Sequence, residues 1–157
     1  MAPDHVALKF KKYKFSYRQY LSYFRNNKEL NKILLDILNG VEELHSIGYI
    51  HRDLKPENVV LNLDPLDVRV IDFDRTFIDS TTTLSTVVGT PGYFPEAEAW
   101  KDSDKRWDLW ALAIIVLESD LPKNAYREDL SERESLRLIN DHTKGRACSK
   151  HLKKLLD

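Results

Sequence analysis

The chain has 157 residues, 42% of them hydrophobic, which suits one folded domain with a sizeable core and argues against disorder. Its 24 Lys and Arg nearly balance 25 Asp and Glu, and a formal net charge of −1 gives no electrostatic case for nucleic acid or a membrane surface. A single cysteine, Cys148, excludes an internal disulfide, the N-terminal stretch lacks a signal-peptide layout, and the apolar run 109–117 is too short to span a bilayer. The expectation is a soluble intracellular, cytoplasmic domain.

In chain order, Val6–Phe10 reads as a short strand leading into a basic connection, Lys11–Lys14. Tyr17, Tyr20, Leu21 and Phe24 fall at helical spacings and predict a helix over Phe15–Phe24 with those side chains in the core. Asn26-Asn27 breaks that pattern and can cap a second helix. Leu30, Ile33, Leu34, Ile37, Val41 and Leu44 share one face of that longer helix, which ends near Gly48, where a left-handed backbone suits glycine. His45 lies one position off the apolar stripe, which predicts capping or packing rather than chemistry. Val59–Leu61 and Val68–Ile71, separated by Asn62, Asp64 and Pro65, predict a hairpin.

Between that helix and that hairpin stands His51-Arg52-Asp53-Leu54-Lys55-Pro56-Glu57-Asn58. An acid able to accept a hydroxyl proton, a lysine able to meet phosphate charge and an asparagine able to hold a divalent metal share one short loop. The loop resembles the H-R-D-x-x-x-x-N catalytic loop of eukaryotic Ser/Thr protein kinases, with Lys55 the residue type of the Ser/Thr branch. The resemblance implies that Asp53 orients and deprotonates a substrate hydroxyl and that Lys55 stabilises the transferring phosphate. It also implies that Asn58 holds magnesium, that Val60 lies beneath the adenine of ATP, and that His51 and Arg52 are structural. Val6-Ala7-Leu8-Lys9 looks like the family motif carrying the ATP-pairing lysine. Only 41 positions separate Lys9 from His51, however, and no glycine-rich loop precedes it. The favoured register makes Val6–Phe10 the last strand of a small lobe and Lys11–Lys14 the hinge.

Asp72-Phe73-Asp74 comes after the hairpin and resembles the kinase D-F-G motif, whose Asp binds magnesium and whose Phe is structural; Asp74 replaces the glycine. Asp74 is expected to be a solvated surface charge. The hydroxyl-rich stretch 75–88 has the position of an activation loop; Thr86 stands where many kinases carry their phosphate, with Thr82 and Thr83 as alternatives and Arg52 as the implied partner. Gly89-Thr90-Pro91-Gly92-Tyr93-Phe94-Pro95-Glu96 is similar to the end of the kinase activation segment, in which Thr90 would bond near Asp53 and Lys55. Either Glu96 or Glu98 could pair with the late Arg146.

Trp107–Leu117 is apolar all round, as in a buried central helix, and resembles the D-x-W-x-x-G helix in which Asp108 ties down the catalytic-loop backbone. Further helices are expected near Ser131–Asn140 and Ser149–Leu156. A separation of only 38 positions from Asp108 to Arg146 implies trimmed intervening helices. The expected fold is therefore α+β and mainly helical: a kinase-like C-terminal lobe over 1–157, with short hairpins beside the catalytic loop and the small lobe largely missing. Two activities fit. One is phosphoryl transfer from Mg-ATP to a protein Ser or Thr, with a small lobe supplied by another chain or by further sequence of a longer product. The other is an inactive module docking on a kinase or its substrate.

Overall fold

The computed structural model describes residues 11–24, 27–78, 89–94 and 105–120, and beyond these only 133, 134, 137 and 138, all four helical. Lys9 and its strand, Thr82, Thr83, Thr86, Glu96, Glu98, Arg146 and the helix expected near Ser149–Leu156 lie outside the described residues.

The chain enters through β1 (Phe15–Ser16) and turns at once into α1 (Tyr17–Tyr23). Ser16 makes that turn possible. Its hydroxyl accepts from the Gln19 N–H while the Gln19 side chain accepts from the Ser16 N–H, a reciprocal cap satisfying two otherwise orphaned donors. Phe15 and Ser16 are therefore strand rather than the first turn of the expected helix. Tyr17, Tyr20 and Leu21 are buried as expected, but Phe24 is 46% exposed and edge-packs on Phe15 instead of entering the core. Helix α2 (Asn27–Ser46) buries Leu30, Ile33, Leu34, Ile37 and Val41, one stripe at the 3.6-residue period. Each such side chain contributes roughly 1.5–3 kcal/mol of burial free energy. Past its end, Gly48 takes φ +83°, the left-handed conformation expected there.

Strand β2 (Tyr49–Ile50) leads to the loop 51–58, whose last three residues form a 3-10 turn beginning at Pro56. Strands β3 (Val59–Leu63) and β4 (Leu66–Val70) form the hairpin, paired from Val59 with Val70 to Leu63 with Leu66. The turn is Asp64–Pro65, joined by a cis peptide bond. Asn62 is part of the ladder, and Ile71 lies beyond it. β1 adds to the free edge of β3 through Phe15–Leu61 and Ser16–Val60. A second, two-stranded sheet pairs β2 with β5 (Phe77–Ile78), inside the stretch expected to be loop. Two residues of pairing leave no periodic signal to read.

Helix α3 (Lys105–Asp120) is the core's centre: Ala111 to Leu117 are all buried, with Trp107 and Asp108. The core joins α1, α2, α3 and the inner face of the three-stranded sheet. Among the described residues no helix is long and apolar enough to cross a membrane.

Candidate functional site

The loop 51–58 is buried, which is unusual for a polar connection and demands internal partners for its backbone. Asp108 supplies them. Its Oδ2 accepts from the His51 N–H at 2.8 Å and its Oδ1 from the Arg52 N–H at 2.9 Å. The third donor to Asp108 is His45 Nε2, at 2.8 Å. With only 1% of its surface exposed, this carboxylate could not remain buried without such donors. The sequence suggests capping or packing for His45; the structure gives it a hydrogen bond to the residue that holds the loop.

His51 works in the opposite direction. Its Nε2 donates to the Ile71 carbonyl at 3.0 Å, leaving Nδ1 to accept from the Asp53 N–H at 3.3 Å. The ring thus links the loop to the segment after β4, and Phe73 lies against it with centroids 5.3 Å apart. Arg52 adopts φ +70°, costly for a side chain of its size and offset by the Asp108 bond and by stacking of its guanidinium 5.6 Å over Phe77. Burial, and then the nearby Arg75 charge, pull the Arg52 guanidinium below its ordinary value, against a smaller opposing pull from Asp108.

At the head of the loop, Asp53, Lys55 and Thr90 form a closed set. The Thr90 hydroxyl donates to Asp53 Oδ1 at 2.6 Å and accepts from Lys55 Nζ at 2.8 Å. Lys55 Nζ stands 3.5 Å from Asp53 Oδ2, and an Arg75 nitrogen 3.9 Å from Oδ1. Two cations therefore face a carboxylate that is only 6% exposed. Asn58 completes the loop, its Nδ2 donating to the Asp53 carbonyl at 2.9 Å. Using the amide nitrogen inward leaves the side-chain oxygen as the donor atom for a cation.

Asn58 and Asp72 reach the same end of the hairpin, because the Ile71 N–H donates to the Asn58 carbonyl at 2.9 Å just past the Val59–Val70 pair. Asp72 is exposed and takes φ +67°, which aspartate tolerates better than most residues. Asp74 is exposed as expected. Among the described residues no three His, Cys, Asp or Glu side chains converge on one point. One carboxylate and one amide oxygen are a donor set that suits magnesium, a hard cation that takes few protein ligands and completes its shell with water and phosphate. Val60 is half-buried on β3, between Ser16 and Arg69.

A second network has no counterpart in the sequence expectations. Arg18 of α1 donates through Nε to Glu57 at 2.6 Å, through one terminal nitrogen to Glu118 of α3, and through the other to Tyr93 Oη at 2.7 Å. Tyr93 in turn donates to Glu118 at 2.8 Å. Burial alone would lower the Arg18 pKa, but the Glu57 bond and the Tyr93 and Glu57 charges outweigh it and raise it. The segment 89–94 is thus fastened to the loop and the central helix. Gly89 lies close enough that a Cβ would stand 3.2 Å from the Arg52 carbonyl oxygen and 3.0 Å from Phe94 Cδ1. Nothing local to Arg18, Glu57, Tyr93 or Glu118 marks them as partners; they are separated by up to 100 positions.

Comparison with known proteins agrees with this geometry. Residues 7–157 match the family model described as protein kinase domain. The chain is 36% identical over 93 residues to the serine/threonine-protein kinase ste20 of Aspergillus fumigatus. It is 40% identical over 92 residues to the human and rat calcium/calmodulin-dependent protein kinase type 1B. These matches cover 57% and 56% of this chain but only 11% and 26% of the relatives. With a family match over nearly its whole length, and the family's loop residues gathered around one buried acid, the chain belongs to the eukaryotic-type serine/threonine protein kinase family.

Proposed function

We propose that this chain forms the large lobe of a Ser/Thr protein kinase that moves the γ-phosphoryl group of ATP to a hydroxyl of a protein substrate. A small lobe, from elsewhere in the polypeptide or from a partner, completes it inside the cell. The observation that carries the reading is the hydrogen-bonded set of Asp53, Lys55 and Thr90 on a loop whose backbone is pinned by Asp108. Phosphoryl transfer asks mainly for positioning and charge compensation, and a pinned loop supplies both.

In this reading the substrate hydroxyl oxygen bonds to the γ-phosphorus as the bond to the bridging oxygen of ADP breaks, and the hydroxyl proton passes to the Asp53 carboxylate. Thr90 and Lys55 keep that carboxylate oriented, and the Lys55 ammonium lies beside it to meet the charge of the moving phosphoryl group. Asn58 and Asp72 would hold magnesium, which supplies neutralisation of phosphate charge. Val60 contributes apolar surface under the nucleotide base. Thr86 is the proposed activating site, with Arg52 as the residue its phosphate would meet.

The test is phosphate incorporation into a generic Ser/Thr protein substrate with Mg-ATP, beside Asp53→Asn, both with and without an added small lobe. Incorporation should fall by roughly 10²–10⁴-fold in the variant, the usual worth of a general base. Equal incorporation by both forms, or none under any condition, overturns the reading. The exposure of Ile71 and Phe73, two large apolar residues beside the site, supports a second reading as a non-catalytic module docking on a kinase or its substrate. Stable co-purification with a kinase, unchanged by Asp53→Asn in a chain lacking activity, would favour it.

A further inference from the structure

One cation at the head of the loop, Arg75, has no task in the transfer so far. A terminal nitrogen stands 3.9 Å from Asp53 Oδ1, outside hydrogen-bond range, so the contact is between charges and no bond is made. Asp53 does not need it. Thr90 donates to the same oxygen at 2.6 Å, and Lys55 Nζ and Asn58 Nδ2 stand 3.5 and 3.4 Å from the other. The Arg75 side chain is 45% exposed. Among the described residues Asp53 is the carboxylate within ion-pair reach of it, while Asp74, its exposed neighbour, is not. The N–H donors of its guanidinium are therefore available to a ligand.

The position is unfavourable for a charge with nothing else to meet. Arg75 lies close enough to Arg52 to add, after burial, to the lowering of that guanidinium's pKa, a repulsion between like charges. An anion arriving at Asp53 would relieve it. The anion that phosphoryl transfer brings there is the γ-phosphoryl group, and Arg75 follows Asp72, the residue offered to its magnesium, on the same segment. Lys55 flanks Oδ2 and Arg75 flanks Oδ1, so the two cations attend different oxygens of the acid that receives the proton.

We propose that Arg75 meets the γ-phosphoryl group of ATP, turning its guanidinium onto two of that group's oxygens as the substrate hydroxyl attacks. The inference rests on the phosphoryl-transfer reading and adds a second cation to it. A planar guanidinium suits two phosphoryl oxygens at once, which an ammonium does not. While the hydroxyl oxygen bonds to phosphorus, the bridging oxygen leaves with ADP, keeping the bonding pair, and the hydroxyl proton passes to Asp53. Arg75 gives up no proton and donates hydrogen bonds to the oxygens of the moving group.

Two measurements test it, each with and without an added small lobe. The first is calorimetric binding of Mg-ADP and of the magnesium complex of the β,γ-imido analogue of ATP, which differ by the terminal phosphoryl group. Arg75→Ala should weaken the analogue roughly tenfold and leave ADP within about twofold. The second is phosphate incorporation beside Asp53→Asn. Arg75→Ala should lower kcat roughly 10²-fold, with KM for the protein substrate within about threefold and the urea midpoint unchanged. Lys32→Ala, which removes an exposed cation of α2, should match wild type within about twofold in both. Equal weakening of both nucleotides, or of neither, overturns the assignment, as does a kcat equal to or above that of wild type in an Asp53-dependent reaction. Selective weakening of the analogue with no incorporation by any form keeps Arg75 on the phosphate and overturns the transfer reading alone. Binding of neither nucleotide under any condition overturns both.

Discussion

The loop 51–58 and the segment 71–78 face each other across one site, yet they are built in opposite ways. Most of the first is buried, its backbone held by a carboxylate on the central helix and its side chains bonded to one another. The second is mostly exposed, and its contacts include Ile71 to Asn58 and His51, Phe73 on the His51 ring, Arg75 beside Asp53, Phe77 under Arg52 and the short β2–β5 pairing. Groups that must be aimed are placed on the rigid side. The segment that would carry a metal ligand and precede a regulatory stretch lies on the side where opening costs little. The stiffness of this site comes from Asp108 of α3 together with the bonds the loop's side chains make among themselves.

The sharpest way to break the comparison is Asp108→Ala. Removing the carboxylate leaves the buried His51 and Arg52 N–H groups unpaired, and the chain should lose roughly 2–6 kcal/mol, read by urea denaturation. A loss below about 1 kcal/mol would mean that the loop is not hung from the helix. Next comes a matched pair of apolar truncations. Leu54→Ala, on the rigid side and 1% exposed, should cost about 2–5 kcal/mol. Phe73→Ala, 51% exposed on the other side, should cost less than about 1 kcal/mol by the same assay. Equal costs would erase the distinction.

Gly89→Ala sharpens the picture at the junction. With φ +154° and a Cβ that would crowd the Arg52 carbonyl, the substitution should cost about 1–3 kcal/mol and push segment 89–94 off the loop. The readout is loss of protection of the Arg52 and Asp53 amides in hydrogen exchange. The smallest effect belongs to the periphery. Asp67 has its pKa lowered, chiefly by its bond to Lys11 and then by Tyr13, so its contribution is present above the usual carboxylate range and fades as pH falls through the lowered value. Wild type should therefore lose slightly more stability than Asp67→Asn between about pH 5 and pH 2. The screening of so exposed a cluster keeps the difference small.

Much of this is legible in the residues. The stripe Leu30–Val41 announces α2, the all-apolar run 109–117 announces the buried α3, and the run from His51 to Asn58 announces the family. Those signals are local: a helix declares its buried face through a 3.6-residue repeat, and a loop motif keeps its members within a few positions. Where the expectation fails, the deciding partner is distant. Phe15–Ser16 is strand because β3 offers a free edge, and Phe24, just past the end of α1, packs on Phe15 and Tyr20 at the surface.

By its own pattern, then, the sequence determined α2, α3, the hairpin, the chemistry-bearing loop and the family. Only the tertiary structure decided that Asp108 receives three donors and that Arg18 fastens Tyr93 to Glu118 and Glu57. The physical reason is range. Helix period and loop spacing are set by backbone geometry over a few residues, whereas a buried charge finds its partners only when packing brings together segments tens of positions apart.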